Sequence, residues 1–245
     1  MIEWRDEGVV LGLRPHGETG ALLQLLTRSQ GRHAGLVRGG QGRRLGGVLQ
    51  PGNRVQAVWR ARLSEHLGAF TCELEEAVAA RFLDEPERLG ALRAALAVCE
   101  QALPEREPHP ACYDGLLALI AALEGDHWGE TYVVWELALL KELGFGLDLS
   151  RCAGGGNDEL AYVSPRTGRA VSLAAGEPYR EKLLALPGFL LGKGSGGAQE
   201  VAQGLALTGR FLERHIFHPQ DRPLPAARDR LAAGIRVQGQ VGADA

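Results

Sequence analysis

Apolar positions change their spacing once along this chain, near residue 76. Ahead of that point they alternate with polar ones. Val55, Ala57, Trp59 and Ala61 are interleaved with Arg54, Gln56, Arg60 and Arg62, the period of a half-buried strand. Runs of similar character are "EGVVLGLRP", "ALLQLLTR", "RHAGLVR" and "GAFTCELEE", with the turns "HGETG" and "SQG" between the early ones. Five short strands with glycine at the corners predict a small closed barrel, because closure removes the unpaired edges of an open sheet.

Behind that point the period becomes 3.6. "EPERLGALRAALAVCEQAL", "HPACYDGLLALIAALEG" and "GETYVVWELALLKELGF" each carry an apolar helical stripe, and Pro86, Pro104, Pro108 and Pro110 mark the joins. Two short β-prone runs, "LAYVS" and "RAVS", flank the turn "PRTG" and predict a hairpin. Helical pattern resumes in "AGEPYREKLLAL", "AQEVAQGLALTGRFLERHIF" and "PLPAARDRLAAGIR". The expected fold is therefore α+β: a five-stranded barrel domain over residues 1–78, then a helical domain over 79–245 with a hairpin excursion at 150–175. An oligonucleotide-binding (OB) barrel is the natural candidate, and an SH3-like barrel fits the same strand count.

Composition narrows the class. With 45% hydrophobic and 23% charged residues among 245, the chain is globular rather than disordered. Its start, "MIEWRDEGVV", places acids where a secretion signal needs a basic region and a long apolar run. No apolar stretch reaches the ~18 residues of a membrane helix. Cys72, Cys99, Cys112 and Cys152 show no paired spacing, which predicts reduced thiols in a cytoplasmic protein. The net charge of −3 conceals an asymmetry: nine arginines and one acid, Glu18, lie between Arg14 and Arg62, whereas the chain after residue 80 is net acidic. Such a surplus speaks of a polyanionic partner rather than of the fold.

Little in the sequence promises catalysis. "GKGSGG" satisfies Gly-x-Gly-x-x-Gly at Gly192, Gly194 and Gly197, but helical patterns flank it where a dinucleotide site needs a βαβ unit, so it reads as a linker. Cys152 stands without nearby thiols, and His215 and His218 near a helix end read as solvent-facing, so neither predicts a metal. There is no Gly-x-Ser-x-Gly elbow. No enzyme, cofactor or metal is expected. What remains is the run from Gly35 to Val55, where Arg38, Arg43, Arg44 and Arg54 sit among seven glycines with no acid. A cationic groove that follows a phosphate backbone needs such residues, and glycine lets backbone N–H groups approach phosphates. Arg28, Arg32, Arg38, Arg43, Arg44, Arg60 and Arg62 are the candidate contacts to nucleic acid. The aromatic residues there are Trp4, Trp59 and Phe70, and Trp59 shares the inward parity of Val55. Backbone contact rather than base stacking is therefore expected. A protein-interaction scaffold whose barrel binds structured RNA is the alternative.

The runs "EGVVLGLRPHGETGALLQLLTRSQGRHAGLVRGGQGRRLGGVLQPGN", "WELALLKELGFGLDLSRCAGGG", "YVSPRTGRAVS" and "GLALTGRFLERHIFHPQDRPLPAARDRL" give the chain a resemblance to the bacterial RecO family of DNA repair and recombination mediators. The resemblance implies an N-terminal OB fold and a C-terminal helical domain. It implies binding to single- and double-stranded DNA, annealing of complementary strands, and help in loading the RecA recombinase on strands coated by single-stranded DNA-binding protein (SSB), together with RecR. It also implies a location in the cytoplasm with the nucleoid. Several family members carry a four-cysteine zinc site where this chain keeps only Cys152, so a degenerate, metal-free hairpin is expected at 150–175. The family contacts the acidic, Phe-terminated tail of SSB, which needs an apolar pocket and cations. Trp135, Leu139, Phe211 and Leu212 are the candidates for the pocket, and Lys141, Arg210 and Arg214 for the charges.

Overall fold

The computed structural model describes residues 1–153, 159–194 and 196–241. They form two compact units, Met1–Ile120 and Ala121–Ala245.

In the first unit β1 (Ile2–His16), β2 (Gly20–Thr27), β3 (Gly31–Val37), β4 (Arg54–Ala61) and β5 (Ala69–Glu76) close into a barrel of order β1-β2-β3-β5-β4. A one-turn helix, α1 (Arg43–Gly46), lies between β3 and β4. The first strand starts at Ile2, ahead of the alternating run that begins at Glu7, because it serves two neighbours. Ile2 to Val9 pair with β4, Gly8 to His16 pair with β2, and the register shifts between Val10 and Gly12. Such a shift bends a strand, and the bend is what allows one strand to close both sides of a barrel. The alternation in β4 holds: Val55, Ala57, Trp59 and Ala61 are buried, and they pack with Val10, Leu23, Leu25, Val37 and Phe70.

The barrel has one thin seam. Parallel strands β3 and β5 meet at a single residue pair, Leu36 and Ala69. Beside it the chain at 103–107 lies along β3: Arg32 Nε donates to the Leu103 carbonyl at 2.8 Å, and the Arg106 N–H donates to the Arg32 carbonyl at 2.7 Å. Arg106 also donates to the carbonyls of Ser64 and His66. Gly31, at φ +69°, makes this approach possible, because a Cβ there would overlap the backbone of Glu107. The segment leads from α2 (Pro86–Ala102) to α3 (Pro110–Ala122), and α2 packs on β1. Proline in the first turn of α2 sets φ and needs no hydrogen bond there.

The second unit contains α4 (Trp128–Glu142), the antiparallel pair β6 (Leu160–Val163) and β7 (Ala170–Ser172), α5 (Leu173–Gly176), β8 (Leu184–Ala185), α6 (Ala198–Leu212) and α7 (Ala226–Val241). The helix expected from "AGEPYREKLLAL" is not formed. That stretch becomes the short α5, a 3-10 turn at Glu177–Lys182 and β8. Leu184 and Ala185 pair with the free edge of β6, so sheet pairing overrides the local helical pattern. Residues 154–158 of the expected hairpin region and Ser195 of "GKGSGG" lie outside the described residues.

An ion pair holds the helices of this unit together. Arg228 of α7 donates through Nε and Nη2 to Glu136 of α4 at 3.0 and 2.9 Å, and Thr208 of α6 donates to the same carboxylate. Arg228 and Glu136 are 3% and 0% exposed. Burial alone would lower the Arg228 pKa, but the Glu136 charge outweighs it and holds the guanidinium above its ordinary value. Gly209 leaves the space, since a Cβ there would stand 2.8 Å from Arg228 Nη1.

Candidate nucleic-acid interface

The barrel sorts its arginines by what lies across from them. Arg28 meets Asp114 at 3.1 Å and Glu7 at 4.0 Å. Arg54 is held by Glu7, Glu75 and Glu76 at 2.8–3.4 Å. Arg14 meets Glu100 at 2.9 Å, and Arg60 meets Glu3 at 2.6 Å. Arg32 is occupied by the Leu103 carbonyl and by Gln24. Arg38, Arg43, Arg44 and Arg62 are exposed and have no carboxylate partner among the described residues. Of the seven arginines predicted to face nucleic acid, the structure thus leaves four unneutralised, pairs Arg28 and Arg60 with acids, and gives Arg32 a role in joining β3 to the 103–107 segment.

The loop that carries the free charges is built locally. Gly39, at φ +66°, turns the chain out of β3, and Gln41 Nε2 ties the loop back to the Gly17 and Gly20 carbonyls at 3.1 and 2.7 Å. The chain then winds into α1, whose Arg43 and Arg44 stay exposed while Leu45 and Val48 pack against the barrel core. Asn53 closes the far side, donating to the Gly47 and Val48 carbonyls at 2.8 and 3.3 Å. This tethered loop is a firmer object than its glycine content implies.

Beside the loop lies a groove of about 390 Å³, lined by Val37, Arg38, Leu45, Arg60, Phe70 and Thr71 among others. Two guanidinium groups therefore border a partly apolar trough where β3, α1, β4 and β5 converge. The floor is rigid. Trp4 stacks on Trp59 with centroids 5.8 Å apart, and His33 and Phe70 meet Trp4 edge-on at 5.1 and 5.7 Å. Trp59 is 2% exposed, with Nε1 donating to the Leu67 carbonyl at 3.0 Å, so it belongs to the core as its parity predicts. Phe70 rests on Gly35, where a Cβ would come within 2.5 Å of its ring. Burial holds the His33 pKa below its ordinary value.

Sequence reasoning overlooked Glu3 and Arg5, which reach this surface because β1 pairs with β4. Glu3 accepts from Arg60 and lies 3.6 Å from Arg5. The hydrogen bond from Arg60 lowers the Glu3 pKa, and the same contact raises that of Arg60. Only the pairing register, which places Glu3 across from Arg60, could have revealed this contact.

In the second unit the residues proposed for a peptide tail do not form an open pocket. Trp135, Leu139, Phe211 and Leu212 are core residues, at most 5% exposed. Lys141, Arg210 and Arg214 are exposed, with Arg210 3.7 Å from Glu213 and Arg214 donating to the Pro165 carbonyl at 2.7 Å. A ladder of rings leads outward from Phe211, through His215 at 6.0 Å, to Phe145, which is 39% exposed. Cys152 is buried, and its sulfur accepts from the Ser172 N–H at 3.3 Å. Among the described residues no three His, Cys, Asp or Glu side chains converge as metal ligands.

A barrel with an unneutralised arginine loop, followed in the chain by a helical unit, is the arrangement on which the comparisons with known proteins bear. The family model for the N terminal of recombination protein O matches residues 1–77, and that for its C terminal matches residues 83–223. The DNA repair protein RecO of Rhodospirillum centenum is 61% identical over 238 residues, covering 96% of this chain and 95% of that protein. Those of Rhodospirillum rubrum and Methylobacterium nodulans are 52% and 50% identical, with 96% and 95% of this chain covered and 97% of each relative. The chain belongs to the RecO family of DNA repair and recombination proteins. No helix among the described residues is long and apolar enough to cross a membrane.

Proposed function

We propose that the chain is a non-enzymatic DNA-binding and strand-annealing mediator of recombinational repair, acting in the cytoplasm at the nucleoid. The observation that carries this reading is the loop on which Arg38, Arg43 and Arg44 stand without carboxylate partners among the described residues, beside a groove bordered by Arg38 and Arg60. The strand order β1-β2-β3-β5-β4, closed by β1 with β4 and with α1 between β3 and β4, supports an OB fold rather than an SH3-like barrel. Phosphate contact through arginine fixes position without choosing sequence. Annealing asks for no more: neutralised backbones approach and base pairing selects the partner strand. Arg62 extends the free charge along the end of β4, whereas Arg28 and Arg32 contribute less because their guanidinium groups are already engaged.

On this reading the partners are single- and double-stranded DNA, the SSB tail, RecR and, indirectly, RecA. The pair β6 and β7 takes the place of the zinc site of other family members, held by packing around the buried Cys152, Val163 and Ala170. The carboxylates of the SSB tail would meet Lys141, Arg210 and Arg214. Its terminal ring would meet the exposed end of the Phe211–His215–Phe145 ladder, since Trp135 and Leu139 are buried.

The test is fluorescence anisotropy of a labelled unstructured oligonucleotide, titrated across a salt series. Each phosphate neutralised on a single strand contributes about −0.7 to the slope of log K against log salt. Arg43→Ala/Arg44→Ala is expected to flatten that slope by roughly one unit and to weaken binding at low salt. Unchanged slope and affinity would remove the loop from the interface, and preference for folded RNA would favour the scaffold alternative.

A further inference from the structure

The basic face carries its own competitor. Glu3 lies between two arginines, 2.6 Å from Arg60 Nε and 3.6 Å from Arg5 Nε. All three side chains are solvent-accessible: Arg60 is 46% exposed, Arg5 76% and Glu3 36%. Arg60 also lines the groove with Arg38. The pairing of β1 with β4 fixes the arrangement, because Glu3 stands directly across from Arg60 in the antiparallel ladder. Among the described residues no acid lines the groove itself, and Glu3 bears on it through Arg60.

A phosphate that enters the groove competes with Glu3 for Arg60, whose Nε–H donor the Glu3 carboxylate already holds and whose charge it offsets. Exposed ion pairs are weak enough to be exchanged in water. A nucleic-acid phosphate, a better-matched partner for a planar guanidinium, can replace the carboxylate. Once displaced, Glu3 still repels the phosphate at short range. Resting on the DNA-binding reading above, we infer that Glu3 is a built-in acidic competitor that masks Arg60, and in part Arg5, and so lowers the affinity and salt sensitivity of this face for DNA. A mediator that must let go of one strand to pass it to another benefits from an attraction held below its maximum.

The experiment is a double-mutant cycle on the full chain with a labelled oligo-dT, measured by anisotropy across a salt series. Glu3→Gln keeps the shape of the side chain and its exposed site, and thermal melts would check that the fold persists. Its expected effect is about two- to five-fold tighter binding at low salt, the range set by the strength of an exposed ion pair. The log–log salt slope should steepen by about 0.7, as one more phosphate contact forms. In the Arg60→Ala background Glu3→Gln should lose most of that gain. Arg60→Ala should weaken binding more in the Glu3→Gln chain than in the wild type.

The outcomes separate. Failure of the wild-type chain to bind the oligonucleotide at low salt overturns the DNA-binding reading itself. Binding by the wild type with no gain in Glu3→Gln overturns only the competitor. An equal gain with and without Arg60 also overturns it, because the effect would then be one of net charge rather than of unmasking.

Discussion

At the scale of single residues, the character of this barrel is set by which charged groups find partners and which ring is kept neutral. His33 stands among Trp4, Trp59 and Phe70, with Nδ1 3.0 Å from the Ala34 carbonyl, and burial depresses its pKa. In the unfolded chain the same ring takes a proton near pH ~6.5. As pH falls below that value the unfolded state gains protons that the folded state refuses. Stability should therefore decline until the depressed folded pKa is reached, and His33 should have no effect well above pH ~6.5. Urea unfolding between pH 5 and 8 checks this, with His33→Gln expected to flatten the decline. His215, lowered by burial and by the Arg214 charge, adds a trend of the same sign. The arginines at this scale show why a charge count overstates an interface. Arg28 and Arg43 are indistinguishable in the sequence pattern, yet Arg28 is balanced by Asp114, and Arg43 by nothing among the described residues.

Elements are held together here by a few polar contacts whose loss has predictable cost. The Glu136–Arg228 pair joins α4 to α7, with Thr208 of α6 bound to the same carboxylate. Removing one partner leaves a buried, uncompensated charge, which costs ~3–5 kcal/mol. Glu136→Ala is thus expected to lower the midpoint of denaturant unfolding sharply. A paired apolar replacement such as Glu136→Met/Arg228→Met should recover most of the loss, because the desolvation of two charges disappears with them. If the double variant is as unstable as the single one, the pair contributes positively beyond packing. Pattern reading found the helices α2, α3, α4, α6 and α7 because each has an apolar stripe of adequate length. It missed β8, since two residues that pair only with β6 have no periodicity to display. The early start of β1 was hidden for a related reason. Residues 2–6 are mostly polar, and they form a strand because β4 offers them an edge.

For the whole molecule, the consequence of greatest practical use concerns where the barrel ends. Its β-strands finish at Glu76, but the seam between β3 and β5 depends on residues 103–107, which arrive only after α2. A fragment of residues 1–124 is expected to fold cooperatively and to retain salt-sensitive DNA binding. A fragment of residues 1–78 should show exposed apolar surface and a broad melt, because β3 would lose the backbone bond from Arg106 and the cover over Gly31. Circular dichroism melts of the two fragments decide it, and a sharp melt for 1–78 would show that the seam closes unaided. By itself the sequence determined the inward row of β4, the helical stripes, the surplus of arginine between residues 14 and 62, and the kinship carried by its longer runs. These are properties of neighbouring residues, or of their sum, and need no knowledge of what lies across space. Only the tertiary structure decided which arginines are free. Arg60 is answered by Glu3 and Arg28 by Asp114, 57 and 86 residues away along the chain. Barrel closure brings Glu3 to Arg60, and the return of the chain through α3 brings Asp114 to Arg28. Charge is written in the sequence, but its neutralisation depends on distance, and distance is set by the fold.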